Sequence, residues 1–137
     1  MAASKLLTPL VSADVALFCV DQGALQVLLV RRALAPAQGE WALPGAVLKP
    51  EQDRDLESTA LRALRDKLSV EVAHLEQVTT VSGPARDPRG YSVAVLFYAL
   101  LPHDRINAVV KSKVEAVQWR PVGSPGQTLA FDHDELL

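Results

Sequence analysis

The stretch GEWALPGAVLKPEQDRDLESTALRALRDKLSV, residues 39–70, decides the fold. Its second half places apolar residues at three- and four-residue spacing: Leu56, Ala60, Leu61, Leu64 and Leu68. Residues at this spacing share one face of a helix, so the pattern predicts an amphipathic helix over residues 55–68. Asp53 or Asp55 can cap the start of that helix, because carboxylates favour the exposed amide groups there.

Segments rich in β-branched and other apolar residues surround this helix and predict strands. Residues 11–20 and 25–32 are joined by the turn DQGA and are predicted to form a hairpin of two strands. The second of these is almost continuously apolar, which predicts a central strand buried on both faces. Other extended segments follow at residues 41–48, where Pro44-Gly45 interrupts them, and at residues 71–81, 91–101 and 113–122.

Strands arranged around one long helix predict an α/β (α+β) fold, a mixed β-sheet sandwiched between helices. Near the end of the chain, Asp132 and Glu135 form a capping-box-like pair behind Phe131. A second helix is therefore expected to start near residue 132 and to be cut short by the chain end. The 137 residues have the size of one ordinary domain, and we expect a single domain over residues 1–137.

Charge and cysteine content narrow the class of protein. A formal net charge of −2 argues against a general nucleic-acid binder, which usually carries a basic excess. The single cysteine, Cys19, cannot form an internal disulfide and is interpreted as a small core residue. The first residues contain no apolar run long enough for a signal peptide or a membrane span. We therefore expect a cytoplasmic protein with no membrane partner.

Five segments, in this order, resemble the Nudix superfamily: LLVRR, GEWALPG, LESTALRALRDKLSV, SGPARDPRGYSVAVLFYALL and EAVQWRPV. More narrowly, WALPG, RDPRG and LAFDHDELL resemble ADP-ribose pyrophosphatases and the Nudix-related transcriptional regulators of NAD metabolism. In those regulators a Nudix domain senses an ADP-ribose-type ligand and a following winged helix binds DNA. The resemblance implies a Nudix-type fold, a nucleotide-type small-molecule ligand and a homodimer. DNA binding would need a second domain, so no nucleic-acid partner is expected for this domain alone.

The family box reads G-x5-E-x7-R-E-U-x-E-E-x-G-U, where U is aliphatic. Its glutamates share one helix face, where their oxygens hold Mg²⁺ and one can activate the attacking water. Aligning Arg62 with the box arginine puts Ala63, Asp66 and Lys67 in the three glutamate positions, whose formal charges sum to zero. The earlier glutamate position falls on Gln52 or Arg54. The box arginine of the family has a structural role, which Arg62 would keep by contacting Glu51 or Asp53.

The box leaves the question of activity open. Asp66 is the candidate metal ligand, and Asp66 and Glu51 are the candidate catalytic residues, with Mg²⁺ as the cofactor if the domain is active and none otherwise. The alternative interpretation of Asp66 is a solvated helix residue paired with Lys67 or Arg62. We predict a domain that binds a nucleoside-diphosphate-linked ligand such as ADP-ribose, with hydrolysis weak or lost. The alternatives are an active Mg²⁺-dependent hydrolase with displaced ligands and an interaction domain with an empty pocket.

The candidate ligand-binding residues are Arg32, Trp41, Gly45, Arg86 and Arg89. Arginine forks in the RDPRG loop could grip phosphate, and the alternative is a solvated loop with Arg–Asp pairing. One of the two arginines that end the second strand is expected to face the phosphates. Trp41 could stack on a base or serve only in packing. The three histidines, His74, His103 and His133, have no metal-ligand spacing and are interpreted as surface residues.

Overall fold

The computed structural model describes residues 8–102, 114–123, 129 and 133. Within these ranges the chain forms seven strands and one helix. In chain order they are β1 (Leu10–Asp21), β2 (Ala24–Arg32), β3 (Trp41–Ala42), β4 (Gly45–Val47), α1 (Leu56–Leu68), β5 (Glu76–Gly83), β6 (Ser92–Leu100) and β7 (Val114–Pro121). Among the described residues there is no helix long and apolar enough to cross a membrane.

The strands form one mixed sheet in the order β3-β2-β1-β6-β5, with β4 on β1 and β7 on β2. β1 and β6 run parallel, and the other pairs are antiparallel. The predicted fold class, an α/β fold built on a mixed sheet, is therefore confirmed; of the helices expected on either side of the sheet, α1 is the one that the described residues contain. β2 pairs with β1, β3 and β7, and its residues 27–30 are buried, as expected for a central strand.

Helix α1 begins and ends where its local chemistry requires. Asp55 has an extended backbone and accepts a hydrogen bond from the Ser58 amide at 2.8 Å, so it is the N-cap. Ser69 adopts a left-handed conformation with φ 55°, and its amide donates to the Arg65 carbonyl at 3.0 Å. The predicted helix is confirmed, and of the two candidate caps, Asp55 is the one used.

The core has one layer on each face of the sheet. Alternate residues of a strand point to opposite faces. The layer under α1 is built from buried apolar residues, among them Ala13, Val15, Leu17, Leu28, Val30, Ala60, Leu64, Leu68, Val95 and Phe97. The layer on the other face comprises Ala16, Val27, Leu29, Leu43, Leu96 and Leu129, with Phe18 and Trp41 packed against it. Cys19 is buried, as predicted.

Two expectations differ from the structure or fall outside it. The strand predicted over residues 71–81 begins only at Glu76 and continues to Gly83. Residues 71–75 instead link α1 to the sheet. Val70, just before this link, and Leu75, at its end, are both buried in the layer under α1. The helix expected near residue 132 lies outside the described residues, apart from His133.

A buried carboxylate ties the loop before α1 to the helix and to β4. Asp53 accepts hydrogen bonds from Arg62 Nε at 2.8 Å and Nη2 at 2.9 Å, from the Lys49 amide at 2.8 Å and from Thr59 Oγ1 at 2.9 Å. Arg62 Nη2 also donates to the Val47 carbonyl at 2.8 Å. Hydrogen bonding by Arg62 holds the pKa of Asp53 far below its usual range, against the opposing effect of burial. Of the two carboxylates expected to hold Arg62, Asp53 is the one observed.

Arg62→Met should lower the free energy of unfolding by about 3–5 kcal/mol, because it leaves the Asp53 carboxylate buried without its charge partner. Arg65→Met is the matched control, since Arg65 lies on the same helix with its side chain 57% exposed and pairs with the exposed carboxylate of Asp66. The control should change stability by about 1 kcal/mol or less. Urea unfolding measures both, and equal losses would contradict the role of the buried pair.

Acid should remove the contribution of Asp53 to stability. Its folded-state pKa lies below the value of about 3.9 for an unfolded aspartate, so the contribution is complete above about pH 4 and is lost as the pH falls towards the folded-state pKa. The difference in unfolding free energy between the wild type and Asp53→Asn should therefore shrink on acidification. Urea titrations between pH 7 and about pH 3 measure it, and a difference that stays constant would contradict the assignment.

Candidate ligand-binding site

A cavity of about 220 Å³ opens where β1, β2, β4, α1 and the loop between β5 and β6 meet. The start of β1 contributes Asp14, the end of β2 contributes Arg32, and β4 contributes Gly45. Helix α1 and the loop between β5 and β6 close the remaining sides. The cavity lies next to the Asp53 network, because Arg62 and Lys49 belong both to that network and to the cavity wall.

Positive charge dominates this wall. Among the residues that the structure describes, six cationic side chains line the cavity against two carboxylates, those of Asp14 and Asp87. The cations are Arg32, Lys49, Arg62, Lys67, Arg86 and Arg89. A concave site with such an excess attracts anions, and guanidinium groups match the geometry of phosphate oxygens. The cavity is therefore suited to a phosphate-bearing ligand, although the chain as a whole carries a net charge of −2.

The RDPRG loop is organised by Asp87. This carboxylate is 6% exposed and accepts from the Arg89 amide at 2.8 Å, from Nε at 3.1 Å and from Nη2 at 2.8 Å. Burial would raise the pKa of Asp87, but hydrogen bonds from Arg89 outweigh it and hold the pKa below its usual range. Arg86 Nη1 donates to Ser92 Oγ at 2.7 Å. Arg–Asp pairing therefore exists in this loop, and it orients the loop at the cavity.

The two arginines at the end of β2 lie in different surroundings. Arg32 lines the cavity, and its Nε donates to the Pro36 carbonyl at 2.7 Å. Burial, together with the charge of Arg89, lowers the pKa of Arg32, and both guanidinium groups line the cavity. Arg31 instead donates to the Gly39 carbonyl at 3.1 Å from an exposed position. An anion between Arg32 and Arg89 would relieve their mutual repulsion.

Asp14 and His133 are part of this site and were missed from the sequence. Asp14 is 8% exposed and His133 is 4% exposed, so the interpretation of His133 as a surface residue was wrong. His133 Nδ1 accepts from the Leu43 amide at 3.0 Å, and Nε2 lies 3.7 Å from Asp14 Oδ2. The buried imidazole thereby satisfies a backbone amide between β3 and β4. His74 is exposed as predicted, and His103 lies outside the described residues.

Arg32, Gly45, Arg86 and Arg89 are brought together at the cavity, whereas three other candidates lie elsewhere. Trp41 is half-buried on β3 and packs against the core layer that contains Leu129. Glu51 is exposed in the loop before α1. The Asp66 side chain is 54% exposed and accepts from Arg65 Nε at 3.1 Å. Ligand binding by Trp41 and catalysis or metal binding by Asp66 and Glu51 stay predictions.

The described residues of the cavity do not fit a divalent cation held by carboxylates. In the part of the chain that the structure describes, no three His, Cys, Asp or Glu side chains lie close enough to hold a metal ion. Of the cavity carboxylates, Asp87 is engaged on both oxygens by Arg89. Ala63 is buried in the helix, 1% exposed, and the Lys67 ammonium donates to the Gly45 carbonyl at the cavity. A fixed ammonium disfavours a cation at this place.

A family model of the NUDIX domain matches residues 9–137. The chain belongs to the NUDIX family. It is 40% identical over 131 residues to the ADPR responsive transcriptional repressor NtrR of Acinetobacter baylyi, covering 95% of this chain and 52% of that protein. It is 27% identical over 112 residues to the ADP-ribose pyrophosphatase of Methanocaldococcus jannaschii, covering 82% of this chain and 63% of that protein. The chain thus spans about half to two thirds of the length of these relatives.

Solved NUDIX structures give the same result. The NUDIX domain of Shewanella oneidensis NrtR complexed with ADP ribose matches with a TM-score of 0.86 and 36% identity, covering 96% of this chain and 85% of that one. The structure of Shewanella oneidensis NrtR complexed with a 27mer DNA matches with a TM-score of 0.76 and 37% identity, covering 92% of this chain and 57% of that one. The sequence-level resemblance to the NUDIX family is thereby confirmed.

Gly45→Ala should destabilise this NUDIX domain by about 1–3 kcal/mol. A Cβ at Gly45 would lie 2.2 Å from Asp14 Oδ1 and 2.7 Å from the Ala13 carbonyl oxygen, and Asp14 is buried. Gly83→Ala is the matched control, since a Cβ on that strand glycine meets nothing within 4 Å. Thermal and urea unfolding compare the two variants. Equal stability would show that Asp14 can move away from β4 at little cost.

Proposed function

We propose that this domain binds a nucleoside diphosphate linked to a second group, with ADP-ribose as the ligand to test first, and that it senses this ligand with little or no hydrolysis. The observation that carries the proposal is the position of Lys67. A residue that replaces a box glutamate lines the cavity as a cation and contacts Gly45. The cavity therefore presents a lysine ammonium to phosphate at the position where an active relative would present a metal ion held by carboxylates.

The ligand class is supported by the cavity and by the relatives. Arginines from two elements, Arg32 on β2 and Arg86 and Arg89 in the β5–β6 loop, converge on one concave site. Such convergence suits the several oxygens of a diphosphate. A NUDIX domain with 36% identity and a TM-score of 0.86 is complexed with ADP ribose.

A sensing role is supported by the relative with 40% identity, which is an ADPR responsive transcriptional repressor. This chain covers 52% of that repressor, so DNA binding is a proposal for a longer protein that would contain such a domain. Organisation as a single domain, the homodimer and the cytoplasmic location stay predictions. Light scattering at several protein concentrations tests the homodimer.

An active hydrolase remains the second candidate, because a relative with 27% identity is an ADP-ribose pyrophosphatase. Its metal ligands would have to be displaced from the usual helix positions. Asp14 and Asp87 line the cavity, and Glu51 lies in the loop before α1. This candidate predicts a nucleoside monophosphate as a product that forms only with Mg²⁺ or Mn²⁺.

Calorimetric titration with ADP-ribose, in Mg²⁺ and in EDTA, followed by chromatography of the same mixtures, separates the candidates. Heat of binding with no AMP formed supports a sensing domain. AMP formed only with metal would establish the hydrolase and overturn the proposal. If neither heat of binding nor AMP is detected, the interaction domain is the alternative that remains, and the proposal is overturned.

Arg86→Gln should weaken ADP-ribose binding about 10-fold or more, because a charge-assisted hydrogen bond to phosphate is lost. Arg31→Gln is the matched control: it removes the same charge from an exposed arginine that donates to Gly39 rather than lining the cavity. The control should bind as the wild type does. Calorimetry measures both affinities, and equal losses in the two variants would point to general electrostatics rather than to this site.

A further inference from the structure

We propose that Leu34, at the mouth of the cavity, packs against the base of the bound nucleotide, so that this residue helps the site to select a nucleotide over a bare diphosphate. The inference rests on the proposed function and adds to it a residue that determines specificity. Its starting observation is that Leu34 lines the cavity and yet remains 54% exposed to solvent.

The cavity is smaller than the proposed ligand. Its volume is about 220 Å³, whereas pockets that enclose a drug-sized ligand measure about 300–1,000 Å³. ADP-ribose contains a diphosphate, two riboses and an adenine base, so the ligand extends beyond what this cavity encloses. The cations in the wall favour the diphosphate as the enclosed part, because it carries the negative charge. A neutral end of the ligand is therefore expected at the mouth.

The loop between β2 and β3, which carries Leu34, is held in a defined conformation by hydrogen bonds. At its base the Arg32 amide donates to the Glu40 carbonyl at 2.9 Å, and the Gly39 amide donates to the Arg32 carbonyl at 2.8 Å. Further along the loop, the Pro36 carbonyl accepts from Arg32 Nε at 2.7 Å. These bonds fix the position of Leu34 without burying its side chain.

Exposure alone would not distinguish Leu34, because apolar atoms contribute more than half of an ordinary protein surface. Leu100 at the end of β6 is 59% exposed and has no place in the cavity wall. Leu34 and its neighbour Ala35 both belong to that wall. They place apolar surface beside a site whose charges attract phosphate, where a bound nucleotide can cover it.

The apolar character of this rim favours a base over the terminal ribose. A base has a π face that packs on apolar side chains, while its polar edges can stay in contact with water. A ribose carries hydroxyl groups around its ring, and covering them with apolar side chains without hydrogen bonds costs free energy. The terminal ribose is therefore the less suitable partner for Leu34.

The test measures by calorimetry the binding of ADP-ribose, ADP and inorganic pyrophosphate to the wild type, Leu34→Ser and Leu34→Phe. Leu34→Ser should bind ADP-ribose and ADP about 5-fold more weakly, because the exposed half of a leucine side chain no longer packs on the base. Its affinity for pyrophosphate should not change. Leu34→Phe should bind both nucleotides at least as tightly as the wild type, since an aromatic ring can stack on the base.

Leu100→Ser is the matched control, because it makes the same substitution at a leucine that is equally exposed but lies outside the cavity wall. It should bind all three compounds as the wild type does. Thermal unfolding of each variant shows whether it is folded. A general disturbance of the site by Leu34→Ser would weaken pyrophosphate binding as much as nucleotide binding, and this result would overturn the inference.

The outcomes separate the two proposals. If the wild type binds none of the three compounds, the proposed function fails and this inference fails with it. If folded Leu34→Ser binds both nucleotides as tightly as the wild type, Leu34 does not contact the ligand. If it loses affinity for ADP-ribose alone, or if the wild type binds ADP-ribose but not ADP, the terminal ribose determines specificity. Each of these last results overturns the inference and leaves ADP-ribose binding in place.

Discussion

The buried ion pair between Asp53 and Arg62 is the interaction on which the site depends. Its side chains are 1% and 9% exposed, and its hydrogen bonds join the loop before α1, the helix itself and the end of β4. A buried charge without its partner is costly, so these three parts must keep their relative positions. The same three parts form one side of the cavity, so the ion pair fixes that side relative to the sheet.

Once α1 is held in this way, the helical period sends neighbouring residues to different surroundings. Ala63 packs in the core, Asp66 lies in solvent beside Arg65, and Lys67 reaches the cavity. The changes from the family box are therefore not equivalent. Alanine in a buried position only adds packing, whereas lysine in the cavity reverses the charge that a ligand meets. The charge of Lys67 therefore bears more directly on ligand binding than the number of missing glutamates does.

Much of the fold could be predicted because its signals are local. The apolar spacing in α1 and the continuous apolar run of β2 each report their surroundings within a few residues. Among the candidate ligand residues, Arg32, Gly45, Arg86 and Arg89 do line the cavity, and the motifs that indicated them, LLVRR, WALPG and RDPRG, are each contiguous in the sequence. Asp14 could have been noticed as a carboxylate inside the apolar segment VSADVALFCV, since an acidic residue in a buried strand needs a partner.

The sequence by itself determined most of the elements, the family and four of the residues that line the cavity. Only the tertiary structure decided which charges meet. His133 is bonded to Leu43, 90 residues earlier, and Lys67 to Gly45, 22 residues earlier. The choice of Asp53 rather than Glu51 as the partner of Arg62 also required the packed loop. Helical and strand periods act over a few residues, whereas the partner of a buried polar group is set by whichever elements the core brings together.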